Sequence, residues 1–302
     1  MKQLLILSGK GGTGKTSLTA AFAHLAHNQA RVRTVLADAD VDASNMELVL
    51  SPRVLETHPF TGGSVAAINA EQCTGCGICA DVCRFDAIFQ AIVETGEPPR
   101  PQVYEIACEG CAACFYQCPS GAIRLEPQVA GHWFRSESRY GPLFHAALRP
   151  AQENSGKLVM QVKQRAQFFA IKHGYDLVLI DGPPGIGCPV ISAATGVDLA
   201  LIVTEPTRTG LHDLERICQT TAHFRVPTLV CINKADLYPE GVQQFRAYCQ
   251  QNDLPIVGEV PFDEDVQQAM IQGEPVTAWQ PDAPVSRAIM DAWQRVVERL
   301  FN

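Results

Sequence analysis

Two groups of residues in the 302-residue chain have types and spacings that could do chemistry. The first is a set of eight cysteines between Cys73 and Cys118, out of twelve in the chain. Cys73-Thr-Gly-Cys76-Gly-Ile-Cys79-Ala-Asp-Val-Cys83 recurs as Cys108-Glu-Gly-Cys111-Ala-Ala-Cys114-Phe-Tyr-Gln-Cys118, an offset of 35 residues. Thiolates at three-residue spacing can wrap one loop around three corners of an iron–sulfur cubane, with the fourth corner supplied by the other copy. That pattern assigns Cys73, Cys76, Cys79 and Cys118 to one [4Fe–4S] cluster, and Cys108, Cys111, Cys114 and Cys83 to a second. Zinc is the competing metal, but its usual knuckles are paired CxxC motifs. The second copy ends Cys118-Pro119, whereas Arg84 follows Cys83, a departure that removes no ligand.

The second group is Gly9-Lys10-Gly11-Gly12-Thr13-Gly14-Lys15-Thr16, followed by Ser17. It fits G-x-x-x-x-G-K-[ST] between an apolar run and a helical pattern. Glycines let backbone N–H groups turn inward around phosphates, and the following helix N-terminus adds favourable dipole charge. Lys15 would reach the β- and γ-phosphates, and the Thr16 hydroxyl would ligate Mg²⁺.

Elements that could position these groups follow from the pattern. Strands are expected at 3–8, 32–37, 177–180, 199–203, 228–232 and 256–260. Helices are expected at 15–28, 157–173 and 285–301, with others between the later strands. This is the alternation of a doubly wound, mostly parallel α/β sheet. From Thr61-Gly62-Gly63 the composition shifts to Cys, Gly and Pro until about Pro127, with a turn-rich linker at 97–102. The expected organisation is a nucleotide domain in two parts, 1–62 and 129–302, interrupted by a small α+β cluster domain at 63–128. An exposed strand is expected at 132–138, before a turn at Tyr140-Gly141-Pro142.

Net charge is −8 with no basic tract, which argues against nucleic acid as a partner. The N-terminal apolar run leads straight into the glycine loop and reads as a buried strand, not a signal peptide. No stretch approaches the roughly 20 apolar residues of a membrane span. The expected location is the cytoplasm, where clustered cysteines read as metal ligands and not disulfides.

The form K-G-G-x-G-K-T, with Lys10 as a second lysine, resembles the deviant phosphate loop of the MinD/Mrp/nitrogenase-iron-protein ATPases. The resemblance implies that Lys10 reaches a partner's nucleotide across an ATP-sandwiched dimer, homotypic or formed with a paralogous ATPase. It further implies that Asp40, in Asp38-Ala39-Asp40-Val41-Asp42, orients the attacking water; Asp38 and Asp42 either assist there or cap the next helix. Tyr175-Asp176-Leu-Val-Leu-Ile-Asp181-Gly182-Pro183-Pro184-Gly185 looks like the second acidic strand and switch. There Asp181 would hold the Mg²⁺ shell and the Gly185 backbone would sense the γ-phosphate. Asn233 would read the base, flanked by Pro261 and Phe262. Asn233-Lys234-Ala235-Asp236 also matches the N-K-x-D signature of GTPases; the double-lysine loop favours ATP.

Residues 65–127 resemble bacterial two-cluster ferredoxins. The whole chain resembles MinD-superfamily ATPases carrying an inserted ferredoxin domain, including the stretches Glu153-Asn154-Ser155-Gly156-Lys157, Cys188-Pro189 and Thr204-Glu205-Pro206-Thr207. Three functions compete. One is an ATP hydrolase, slow and stimulated by a partner or by redox state, coupled to electron transfer with a redox partner. Another is a factor delivering an iron–sulfur or other metal cluster to an acceptor. The last is a redox-sensing nucleotide switch. Cys188 reads as an accessible or packed thiol, or as a cluster ligand shared across a dimer axis. Cys218, Cys231 and Cys249 read as core. The last helix reads as packed on the body and not as a membrane anchor.

Overall fold

The computed structural model describes residues 1–28, 32–91, 100–149 and 155–302. The first three residues of the 97–102 linker, with Glu153 and Asn154, lie outside them. The chain divides into two compact units: Met1–His58 with Trp133–Ala147 and Ser155–Asn302, and Pro59–His132 with Leu148–Asn154, of which Leu148 and Arg149 are described. The second unit is longer at both ends than the 63–128 segment read from composition, because two 16-residue strands run past the composition change.

In chain order the elements are β1 (Lys2–Ser8), α1 (Lys15–Asn28), β2 (Thr34–Asp38), α2 (Met46–Leu50), β3 (Arg53–Ile68), α3 (Ile78–Asp81), β4 (Ile88–Ala91), β5 (Arg100–Val103), α4 (Ala113–Gln117), β6 (Ile123–Ser138) and β7 (Gly141–Leu148). They continue with α5 (Ser155–His173), β8 (Leu177–Pro184), α6 (Cys188–Ala194), β9 (Leu199–Thr204), α7 (Arg208–His223), β10 (Thr228–Asn233), α8 (Pro239–Gln251), β11 (Ile256–Val260), α9 (Glu264–Ile271), α10 (Val276–Trp279) and α11 (Pro284–Phe301).

The first unit is built on a sheet of order β11-β10-β9-β1-β8-β2-β7-β6-β3. The pairs from β11 to β7 are parallel. β6 and β7 are joined by Arg139-Tyr140 alone, and a two-residue connection permits only an antiparallel pair. The central strands are buried on both faces, which is why they read as continuous apolar runs such as Leu4–Leu7 and Leu199–Val203. Leu4, Ile6, Leu177, Leu179, Leu199 and Leu201 share one core with Phe22 of α1 and Trp293 of α11. The alternate residues Leu5, Leu7, Val178 and Ile180 are equally buried, and α5 and α6 pack on β8. The segment 132–138 is not the exposed strand expected: Trp133, Ser136 and Ser138 are buried along β6.

α11 packs as a structural helix. Val285, Ile289, Trp293, Val296 and Leu300 are all buried, and Trp293 stacks at a tilt on Phe22 with ring centroids 4.9 Å apart. Burial of five such side chains removes the apolar face that a membrane anchor would need. Among the described residues no helix is long and apolar enough to cross a membrane.

The second unit has a small core of its own: Ala66, Cys79, Ile88, Cys114 and Ile123, with Ile68, Val82, Val103 and Leu125 packed against it. The sequence repeat is a structural repeat. Each copy has a four- or five-residue helix after its second cysteine, α3 or α4, leading into a strand, β4 or β6. β4 pairs antiparallel with β5, Ile88 opposite Val103. Equivalent residues share the left-handed region: Gly75 and Gly110, Gly77 and Ala112, Asp86 and Gly121. Gly110 has a second constraint, since a Cβ there would come within 2.2 Å of the Ser64 carbonyl oxygen.

Candidate nucleotide site and cysteine cavities

The glycine loop sits between β1 and α1 at the C-terminal edge of the sheet, where parallel α/β folds place their ligands. Gly12 and Gly14 have φ of 79° and 89°, conformations that favour glycine. Gly9 and Gly14 are also sterically fixed: a Cβ would fall 2.2 Å from the Asp213 Cβ and 2.3 Å from the Asn233 Nδ2, respectively. Gly11, by contrast, has open space around it.

Four expected residues converge below the loop. Lys15 Nζ lies 3.0 Å from Asp181 and 3.8 Å from Asp40. Thr16 Oγ1 donates to Asp181 Oδ2 at 2.7 Å, and Thr19 Oγ1 donates to Asp181 Oδ1 at 2.8 Å. Asp181 is fully buried at the register position opposite Ile6. Burial alone would depress the Lys15 pKa; the nearby Asp181 and Asp40 charges more than offset it, so the ammonium is held above its ordinary value. Asp40 is shifted upward by burial, with Lys15 opposing, which makes it a better proton acceptor than a free carboxylate.

Asp38 plays a structural part. Its carboxylate accepts from the backbone N–H of Asp40 and Met46 and from Ser44 Oγ, fixing the loop before α2. Burial first, and the Asp181 charge second, push its pKa up to about 7. Asp42 is exposed.

Among the described residues, two buried polar atoms of the loop are left without a hydrogen-bond partner, Thr13 Oγ1 and Lys15 Nζ, the latter ion-paired with Asp181 at 3.0 Å. Buried donors are normally satisfied. Both stand where a phosphate would supply acceptor oxygens.

Lys10 is half-exposed and forms a 3.0 Å ion pair with Glu205 of the same chain. Glu205 also binds Lys234, whose Nζ reaches the Gly12 carbonyl oxygen at 3.3 Å. Burial opposes ionisation of Glu205, but hydrogen bonds from Lys234 and Lys10 hold its pKa below the ordinary value. Glu205, Lys234 and Thr19 were not assigned roles from sequence. Glu205 directly follows β9, and the rule that ligands gather beyond the carboxyl ends of parallel strands would have found it.

Beside the loop lies a cavity of about 240 Å³ lined by Gly12, Gly14, Ser17, Asn233, Pro261 and Phe262, with Met270, Val285 and Ile289 from the C-terminal elements. Asn233 Nδ2 donates to the Thr13 carbonyl oxygen at 2.8 Å. Ser17 Oγ lies 2.9 Å from the Met270 sulfur. Gly185 departs from expectation. It has φ of 87°, but its N–H donates to the Ser8 carbonyl oxygen at 2.9 Å, because β8 stays paired with the end of β1.

In the second unit the eight repeat cysteines line two cavities. One is lined by Cys73, Cys76, Cys79 and Cys118; the other by Cys83, Cys108, Cys111 and Cys114. Each draws three cysteines from one copy and the last from the other. Several sulfurs accept backbone N–H groups: Cys83 from Ala87 at 3.3 Å, Cys118 from Ala122 at 3.3 Å and Cys108 from Ala66 at 3.5 Å. Among the described residues no group of three or more His, Cys, Asp or Glu converges as a single metal ion would need.

The other cysteines separate cleanly. Cys231 and Cys249 are buried, Cys218 is intermediate, and burial pushes their thiols up to about 12, 11 and 12 respectively. Cys188 is exposed at the start of α6.

Residues 4–276 match the family model described as the CobQ/CobB/MinD/ParA nucleotide binding domain. An uncharacterized protein of Methanocaldococcus jannaschii is 31% identical over 300 residues, 98% of this chain and 96% of its own. An uncharacterized ATP-binding protein of the same organism is 24% identical over 97% of this chain and 87% of its own. The septum site-determining protein MinD of Pyrococcus horikoshii, solved with Mg-ADP, superposes with a TM-score of 0.57 at 18% identity, covering 98% of this chain and 95% of that one. The fold, the phosphate loop and the family match together make this chain a member of the CobQ/CobB/MinD/ParA nucleotide-binding family, a P-loop ATPase of the MinD/ParA kind.

Proposed function

We propose that this ATPase couples ATP binding and hydrolysis in its first unit to electron transfer through two [4Fe–4S] clusters held by its second. The observation that carries the reading is the pair of cysteine cavities, each lined by four thiols contributed three-plus-one by the two repeat copies. The donor set fits the group: four soft thiolates around a void suit a cubane. A single zinc ion, with Zn–S of about 2.3 Å, needs its thiolates converged on one point. Such clusters supply one-electron chemistry when bound.

In the first unit Lys15 and Thr13 are the donors that phosphate oxygens would satisfy. Thr16 and Asp181, 2.7 Å apart, would share the Mg²⁺ shell. Asp40, next to Lys15, would orient the attacking water and accept its proton. The cavity beside Asn233, Pro261 and Phe262 would take the base. Asp236 does not line that cavity; its Oδ1 accepts from the Phe262 N–H at 2.6 Å, which supports adenine over guanine as the base read here. Lys10 would leave Glu205 to reach the nucleotide of a partner, a second copy or a paralogue, in an ATP-dependent dimer.

The delivery reading has one observation in its favour: Cys76 and Cys111 are exposed, so both cavities open to solvent. Anaerobic purification with iron and sulfide assay and low-temperature EPR tests the main reading. We expect about eight iron and eight sulfide per chain and a dithionite-reducible cluster signal. Iron-free protein, or a single zinc per chain, would contradict it. Iron released to an apo-acceptor only on ATP turnover would favour delivery.

A further inference from the structure

The two cysteine cavities differ at equivalent positions of the repeat, and the differences act in one direction. The residue after the first cysteine is Thr74 in one copy and Glu109 in the other. Two residues past the last cysteine stand Phe85 in one copy and Ser120 in the other. Because each last cysteine joins the other copy's cavity, the substitutions sort together. Thr74 and Ser120 line the cavity of Cys73, Cys76, Cys79 and Cys118. Glu109 and Phe85 line the cavity of Cys83, Cys108, Cys111 and Cys114.

One cavity therefore has two hydroxyls, and the other a carboxylate and a phenyl ring. Ser120 Oγ lies 3.6 Å from Cys118 Sγ, within reach of a weak O–H···S contact. Backbone donors do not supply this asymmetry: Cys118 and Cys83 each accept one N–H at 3.3 Å, and Cys108 in the second cavity accepts a further one from Ala66 at 3.5 Å, which the side-chain differences must outweigh. Reduction adds one negative charge among the four thiolates. Hydroxyl donors stabilise that charge and raise the potential; a nearby carboxylate and an apolar wall oppose it. Glu109 is exposed, so its contribution is screened by salt.

Resting on the reading that both cavities hold [4Fe–4S] clusters, we propose that Ser120 and Glu109 make the two sites unequal. The site of Cys73, Cys76, Cys79 and Cys118 is the easier to reduce and is where a single electron rests. The site of Cys83, Cys108, Cys111 and Cys114 is the more reducing one, from which an electron passes downhill to the first. A low-potential one-electron donor is oxidised as it reduces the second site, that site is reoxidised as the electron moves to the first, and the first is reoxidised by a one-electron acceptor of higher potential.

The experiment is a potentiometric titration of the full chain, reconstituted anaerobically, with dithionite as the electron source and EPR as the readout. The wild type is expected to show two one-electron waves, separated by a preference of about tenfold, or about 59 mV for a one-electron couple. Ser120→Ala should lower the upper wave and leave the lower in place. Glu109→Thr should raise the lower wave and leave the upper in place, with an effect that shrinks as salt is added. Both positions are exposed, and iron content checks that each variant is fully loaded. A single unresolved wave, or Ser120→Ala acting on the lower wave, would overturn the inference while leaving the two-cluster reading intact. A chain that takes up no iron would overturn that reading and the inference with it.

Discussion

The two units organise their chemistry in opposite ways. In the nucleotide unit the reactive side chains hold one another: Asp181 takes Lys15, Thr16 and Thr19, and Glu205 takes Lys10 and Lys234. These contacts sit on a large core that includes Phe22, Met46 and Trp293. In the cysteine unit the reactive side chains surround cavities, and among the described residues two of the five in its packed apolar cluster, Cys79 and Cys114, are themselves candidate ligands. A core that small rarely supplies stability alone, and metal binding then becomes folding free energy. The difference teaches that the nucleotide site is built by the fold, whereas the proposed cluster sites would build the fold around them.

The comparison breaks most directly by removing the ligands. In the double variant Cys79→Ser and Cys114→Ser, hydrogen exchange should lose protection throughout Pro59–His132, while ATP affinity stays within about threefold. Protection retained across that unit would show that it folds without its thiols.

A core deletion in the first unit should have a large effect confined to stability. Trp293 is 1% exposed, and Trp293→Ala is expected to cost about 3–5 kcal/mol in chemical denaturation, with iron content unchanged. A loss under about 1 kcal/mol would mean that α11 is not part of the body. Within the phosphate loop, Lys15→Ala should lower kcat by roughly 10²–10³-fold, the scale of removing one preorganised donor. A variant with near-normal turnover would sink the assignment of Lys15.

The smallest effect concerns acid stability. His145 is buried, its ring 2.8 Å from Ser136 Oγ, stacked on Phe134 and 3.5 Å from Glu47. Burial pushes its pKa down to about 4. In the unfolded chain it titrates near 6.5. Between those values the unfolded state binds the extra proton, so the contribution is present above about pH 6.5 and lost as pH falls toward 4. A melting series from pH 7 to 5 should steepen for the wild type relative to His145→Asn by about 1–2 kcal/mol at pH 5. Parallel curves would show that the ring is not held neutral by its site.

Much of the first unit was legible because its strands are short, apolar and separated by amphipathic helices. β11 runs from Ile256 to Val260 as its pattern predicts, and α1 from Lys15 to Asn28. β3 and β7 were not legible. β3 is exposed for most of its first seven residues and contains Pro59 and a Gly-Gly pair, so no alternation marks it. β7 is buried through Pro142–Ala146, with no alternation either. Near the nucleotide, the loop and Asp181 carry motif spacing that sequence exposes. Glu205 and Met270 do not, because only the tertiary fold brings them to Lys10 and Ser17, and Thr19, one turn past Lys15 on α1, gains its contact only where β8 sets Asp181 against it. The grouping of the cysteines around two cavities, three from one copy and one from the other, follows their three-residue spacing.

The most direct test of the coupling is the anaerobic Mg-ATPase rate of fully clustered protein, oxidised against dithionite-reduced, with Lys15→Ala as the control for contaminating hydrolysis. The account predicts a rate that changes several-fold with the redox state of the second unit. Equal rates in the two states would contradict it and leave the cysteine unit to delivery or docking.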